Sequence, residues 1–236
     1  GAVLEKEGVE VEIVPADILK MDWGDIKRKV RDGRPDIVGV TSTTENRFQS
    51  FELVKLAKKA YPPALTVMGG PHASMAAEDA LAHIPELDIV VRGEGEESTL
   101  DLCRALERKR DTNGLSHVAG ISHRMNGDVI SNRPRSPIFN LDGLPFPAFH
   151  LVPFDKYNFK IEVPGEGPLP AVNIMTSRGC PFNCPGRPPR RPAGRSRDGP
   201  AGPRRAPGRR GVPPRRSERE PSRSGLAETH PRWSAG

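Results

Sequence analysis

The sequence predicts an α/β fold, a parallel sheet with helices on both faces, across residues 1–112. Three observations predict it. Strand-like and helix-like segments alternate along this stretch. The clearest strands are continuous apolar runs, the pattern of strands buried on both faces. The helical segments end at glycine or proline, so each apolar run is set off by a stop signal.

Each element follows from its own residues. "GAVLEKEG" reads as the last turns of a helix running into a strand. "VEVEIVPAD" alternates and is β-rich, which predicts a strand over residues 9–15. "WGDIKRKVRDG" places Ile26 and Val30 four apart and meets Gly33, a helix with a glycine stop. "PDIVGVTS" is a short apolar run, a buried parallel strand. "RFQSFELVKLAKKAYP" puts Phe48, Phe51, Leu53, Val54 and Leu56 on one broad face and stops before Pro62 and Pro63. "ALTVMGG" is the next strand, "MAAEDALAHI" the next helix, "LDIVVRGEGE" a strand with its loop, and "ESTLDLCRALERK" a helix with Leu100, Cys103 and Leu106 on one face.

These segments are the parts of a flavodoxin-like (Rossmann-like) sheet, whose usual strand order is 2-1-3-4-5. On that pattern the first strand is missing, and the strand at 9–15 lacks its neighbour. Asn126-Gly127 between β-like arms predicts a hairpin with a type I′ turn. The stretch from Ser136 to Phe159 is rich in Pro and Phe and predicts an extended linker, so residues 113–168 read as hairpin plus linker. "AVNIMTSRG" is strand-like and leads into Cys180 and Cys184, the start of a second domain over 169–184.

The formal net charge of +6 divides unevenly. Residues 185–236 hold 14 Arg, no Lys and 4 acidic residues, a net +10 that leaves −4 for the first 184. With 11 Pro and 8 Gly but only Val212, Leu226 and Trp233 as large apolar residues, that tail is expected to be disordered. Its abrupt start and lack of lysine read as GC-rich coding sequence out of frame; the alternative is a nucleic-acid-binding basic arm. No run approaches the ~18 apolar residues of a membrane span, and no signal peptide is visible. Three cysteines, an odd number, argue against a disulfide framework and for a reducing compartment, the cytoplasm.

Ligands of open α/β sheets sit beyond the carboxyl ends of the strands. Three loops leave those ends: "TSTTEN" (41–46), "GGPHAS" (69–74) and "RGEGEES" (92–98). The first offers hydroxyls to a polar ligand. The paired glycines of the second allow close backbone approach. The third joins a cation, glycines and carboxylates at a helix start. Any one of them could simply form turns and caps; three on one edge point to a site. Ser98 replaces the third glycine of a dinucleotide loop, and Glu94, Glu96 and Glu97 would repel a pyrophosphate, so that reading is rejected. His72 stands without a second ligand nearby and reads as a hydrogen-bonding loop residue rather than a metal ligand.

In order, "VGVTSTT", "VMGGPHAS", "DIVVRGEGEES", "LDGLPFPAFHLVPFDKY" and "TSRGCPFNC" resemble the cobalamin-binding radical S-adenosylmethionine (SAM) family, in the branch of the anaerobic magnesium-protoporphyrin monomethyl ester cyclase. The resemblance runs from Gly1 to Cys184. It implies a cobalamin domain followed by a partial TIM-type barrel, with radical methyl transfer or oxidative cyclisation of an organic small molecule as the family activity. It implies that Ser42, Thr43 and Thr44 lie along the corrin and its nucleotide tail. Gly69, Gly70, Pro71 and His72 would form the close loop at the tail, and Arg92, Gly93, Glu94, Gly95 and Glu96 the next wall. The D-x-H-x-x-G motif is not present, so no histidine is expected below the cobalt. Cys180 and Cys184 match the first two ligands of a [4Fe–4S] cluster that binds SAM. Arg187 stands at the third, and guanidinium has no lone pair for iron. The chain as written is therefore expected to bind cobalamin and to be catalytically incomplete; a stand-alone cobalamin module is the alternative.

Overall fold

A computed structural model of the chain describes residues 1–108, 112–157 and 159–171, together with 173, 175 and 177–179. Cys180, Cys184, the tail from 185 and three residues of the strand expected at 171–179 lie outside the described residues.

The chain runs through α1 (Ala2–Lys6), α2 (Trp23–Gly33), β1 (Ile37–Thr41), α3 (Arg47–Ala60), β2 (Leu65–Gly69), α4 (Pro71–Met75), α5 (Ala77–His83), β3 (Ile89–Val91) and α6 (Gly95–Arg108). A 3-10 turn (Thr112–His117) leads to the hairpin β4 (Ile121–Met125) and β5 (Asp128–Ser131). A second hairpin, β6 (Lys160–Val163) and β7 (Gly167–Pro170), closes the described part. The α/β architecture expected from the sequence is present: a five-stranded sheet in the order β1-β2-β3-β4-β5. The first three strands are parallel, and β4 and β5 add antiparallel to the outer edge of β3.

The period of two in a strand sorts the core into two layers. Val38 and Val40 of β1, Met68 of β2 and Val90 of β3 face α3, α4 and α5, packing with Val54, Ala73, Ala80 and Leu81. Ile37, Leu65, Val67, Ile89 and Val91 face the other way, toward Leu102, Ala105 and Leu106 of α6 and toward Leu115 and Val118. At the amino ends of the strands, Asp88 ties β2 to β3. Its Oδ2 accepts from Thr66 N at 2.8 Å, Thr66 Oγ1 at 3.0 Å and Lys58 Nζ at 2.6 Å.

Three sequence readings are corrected. Residues 9–15 form no strand. Alternation specifies a strand only where a neighbour supplies a hydrogen-bond ladder, and this segment joins neither sheet. Ile13 and Val14 remain over a third exposed, and Glu12 instead pairs with Lys29 at 2.5 Å. The Asn126-Gly127 hairpin forms with both residues at positive φ, 54° and 92°, but it belongs to the main sheet rather than standing outside it. The span read as hairpin plus linker also holds a second hairpin, β6 and β7, joined through Gly165 at φ 84°; it follows the Pro- and Phe-rich stretch 136–159, whose described residues carry no strand, as its prolines predict. Pro168 and Pro170 are tolerated because a two-stranded ribbon has only edge strands.

Candidate functional site

The carboxyl ends of β1, β2 and β3 carry the three loops, and main-chain bonds hold them to one another. Ser42 N donates to Gly69 O at 2.8 Å, extending the β1–β2 ladder by one residue. His72 N donates to Ser42 O at 3.1 Å. Ser74 Oγ donates to Gly70 O at 2.8 Å and accepts from Gly93 N at 3.0 Å, so the second loop is joined to the third. This close approach requires Gly70. Its φ of 95° and ψ of 177° form a conformation open essentially to glycine alone. A Cβ there would lie 2.7 Å from Ser42 O and 3.0 Å from Ser42 N.

The site itself is a cleft of ≈ 380 Å³ on the α6 side of the sheet, at the strand ends. Five glycines line it: Gly39, Gly69, Gly70, Gly93 and Gly95. Val67, Val91 and Leu102 supply apolar wall, and Thr41 and Thr99 supply the residues with hydroxyls. A wall built of main chain lets a ligand lie directly on peptide groups. At Gly39 a Cβ would meet nothing within 4 Å, so the floor of the cleft is open above that residue. The Oγ of fully buried Ser42 has no hydrogen-bond partner among the described residues. An orphaned buried hydroxyl is uncommon and costly.

Of the residues singled out from the sequence, Gly69, Gly70, Gly93 and Gly95 line the cleft. Thr43 serves α3: its N–H donates to Asn46 Oδ1 at 2.8 Å. Thr44 Oγ1 and His72 Nδ1 lie 3.4 Å apart, and the His72 ring packs 6.1 Å from Phe51. Pro71 occupies the start of α4, where its missing N–H costs nothing. Arg92 turns away from the strand ends; its guanidinium donates to Ile121 O at 3.0 Å and to Asn132 O, binding the β4–β5 hairpin to β3.

Glu94 and Glu96 also face elsewhere. Glu94 Oε2 accepts from Ile138 N at 2.6 Å, and Glu94 Oε1 lies 3.7 Å from Arg178 Nη1. Glu96 pairs with Arg178 Nη2. Burial pushes the Glu96 carboxyl upward, but the hydrogen bond and charge of Arg178, with a backbone hydrogen bond, outweigh it and hold the group below the ordinary carboxylate range. The same contacts raise Arg178. No group of three or more potential metal-ligating side chains occurs among the described residues.

Sequence reasoning passed over Gly39, Val67, Thr99 and Leu102. Gly39 carried a readable signal, an isolated glycine inside the apolar strand "IVGVT", which marks close approach by a ligand or another backbone. Leu102 carried none, since its spacing is that of any core leucine on α6.

Residues 1–102 match the family model of the B12 binding domain. The chain is 37% identical over 183 residues to an uncharacterized methyltransferase of Pyrococcus horikoshii, covering 78% of this chain and 38% of that protein. It is 30% identical over 182 residues to the anaerobic magnesium-protoporphyrin IX monomethyl ester cyclase of Rubrivivax gelatinosus, covering 76% of this chain and 32% of that one. A cobalamin-dependent radical SAM methyltransferase of Streptomyces tokunonensis is 26% identical over 151 residues, 64% of this chain and 21% of its own length. The chain thus spans between about a fifth and two fifths of these relatives. Residues 1–102 carry a B12 binding domain, and over 64–78% of its length the chain is similar to part of these larger proteins, among them a cobalamin-dependent radical SAM methyltransferase.

Proposed function

We propose that the glycine-lined cleft at the carboxyl ends of β1, β2 and β3 holds the nucleotide arm of cobalamin, with the corrin resting on the loops above it. The observation that carries this reading is the cleft's construction. Five glycines expose peptide groups along ≈ 380 Å³, a volume suited to one arm of the cofactor and too small for the corrin. The fit rests on this chain's own residues. Gly39 leaves the cleft floor open where any side chain would begin to fill it, and Thr41 and Thr99 line the same cleft. Thr44, exposed, and His72, half-buried, suit the amide arms of the corrin.

In this reading the described residues bind and orient the cofactor, and none of them carries a chemical step. Radical methyl transfer or oxidative cyclisation of an organic substrate is assigned to the whole proteins of the family. Residues 1–112, with the β4–β5 hairpin that completes their sheet, form the cobalamin-binding part, the rest of 113–168 the connection, and 169–184 the beginning of the radical domain.

The test is a titration with hydroxocobalamin followed by corrin absorbance, using the chain and its Gly39→Leu variant. Because a Cβ at position 39 meets nothing within 4 Å and the added side chain extends into the open cleft, the variant is expected to fold with unchanged circular dichroism. A saturable spectral shift in the parent chain that is lost in Gly39→Leu supports the reading. Equal binding by both places the cofactor outside the cleft and overturns it.

A further inference from the structure

The carboxylates at the start of α6 do more than complement its helix dipole. They receive the chain as it leaves the sheet. Arg135 donates from Nε to Ser98 Oγ at 2.9 Å, lies 3.0 Å from Glu97 through Nη1, and reaches Asp101 through Nη2. Three residues on, Ile138 N is held by Glu94 at 2.6 Å. Forty residues later the chain returns to the same place, where Arg178 meets Glu94 and Glu96 together.

The Arg178 contacts are less exposed than the Arg104–Glu7 pair that also reaches α6. Side-chain exposures are 31% for Arg178, 28% for Glu94 and 25% for Glu96, against 52% and 37% for the Arg104–Glu7 pair. Partial exclusion of water strengthens such a pair, and the remaining exposure of 25–31% leaves it open to screening by salt. Glu94 is shared, one oxygen on the Ile138 amide and the other on Arg178, so linker and returning segment are fastened at one point. That point lies on the loop whose Gly93 and Gly95 line the cleft. Arg178 is also two residues before Cys180 in sequence.

We propose that Glu94 and Glu96 are positioning residues that clamp Arg178 between two carboxylates and so dock the segment leading into Cys180 against the rim of the cleft. The clamp explains why the acidic loop, a poor wall for a phosphate-bearing ligand, sits at the strand ends: its glycines face the cleft and its carboxylates face the returning chain. It does not depend on what the cleft binds.

Limited digestion of the full chain with trypsin tests the clamp. Trypsin must take the Arg178 side chain into its own pocket to cut the Arg178–Gly179 bond, so the rate of that cut reports the undocked fraction. Cleavage after Arg124, whose guanidinium is held by Leu81 O and Ile84 O, serves as the internal reference for global opening. The Glu94→Gln/Glu96→Gln variant is expected to be cut at Arg178 about tenfold faster relative to the reference site. Raising salt is expected to speed the Arg178 cut in the parent chain and to leave the variant unchanged, a response that loss of packing would not produce. An unchanged relative rate, or equal salt dependence in both proteins, overturns the proposal. If the variant opens globally, the reference cut rises with it, and the parent's salt series decides: no salt effect at Arg178 overturns the clamp.

Discussion

Gly70→Ala isolates the contact that makes three separate loops into one site. Two costs add at this position. The backbone at φ 95° and ψ 177° is strained for any residue with a Cβ, by about 1–3 kcal/mol. The new methyl would also lie 2.7 Å from Ser42 O and 3.0 Å from both Ser42 N and Thr41 Oγ1. Two of those three atoms are main chain, so relief requires the β1 and β2 loops to part. Parting them stretches the Ser42 N–Gly69 O and His72 N–Ser42 O hydrogen bonds. Overpacking of this kind costs about 1–3 kcal/mol more, for a total on the order of 2–6 kcal/mol. Gly93→Ala is the matched control: it shares the positive φ, 77°, but its Cβ would meet nothing within 4 Å. It is expected to lose about 1–2 kcal/mol. Urea unfolding followed by circular dichroism measures both. Equal losses in the two variants, or a Gly70→Ala loss under ~1 kcal/mol, would refute the argument that the loops are held at contact distance.

Three further outcomes follow from other parts of the molecule. Asp88→Ala strands the amide of fully buried Thr66 and removes the carboxylate from Lys58, and is expected to cost about 2–4 kcal/mol in urea unfolding. Cys103 is buried on α6; burial, then the Glu107 charge, raises its thiol pKa. Peptide mapping after iodoacetamide treatment should find it alkylated only once the chain is unfolded. Because the folded value lies above the unfolded one, the folded chain holds the proton longer. Its contribution to stability is complete below the ordinary thiol range and falls as pH rises through and above it, which alkaline unfolding curves of Cys103→Ala against the parent would detect. Arg92→Met should leave the parallel strands intact and loosen the hairpin, read as faster amide exchange across Ile121–Ser131.

Much of the fold was legible because its signals are local. "IVGVT" and "LTVMG" are apolar runs with a stop on each side, and Asn126-Gly127 names its own turn. What was illegible depends on partners distant in sequence. Residues 9–15 have strand composition but no strand beside them. The helix stop at Gly33 was read correctly, yet the left-handed residue is the next one, Arg34 at φ 46°. Within the site, the loop glycines were identified by position, since their place at strand ends is topological. The side chains between them were not: Arg92, Glu94 and Glu96 share that loop with Gly93 and Gly95 but point toward Asn132, Ile138 and Arg178. Adjacent residues in a loop face different neighbours, and no periodicity records which.

Amide hydrogen exchange with and without hydroxocobalamin tests the central claim most directly, because it reads the place of binding as well as its occurrence. The account predicts slower exchange at residues 39–44, 69–74 and 93–95, the stretches that line or border the cleft, and no change in the β4–β5 hairpin. Protection confined to the linker around residues 144–154, or none at a concentration that shifts the corrin spectrum, would contradict it.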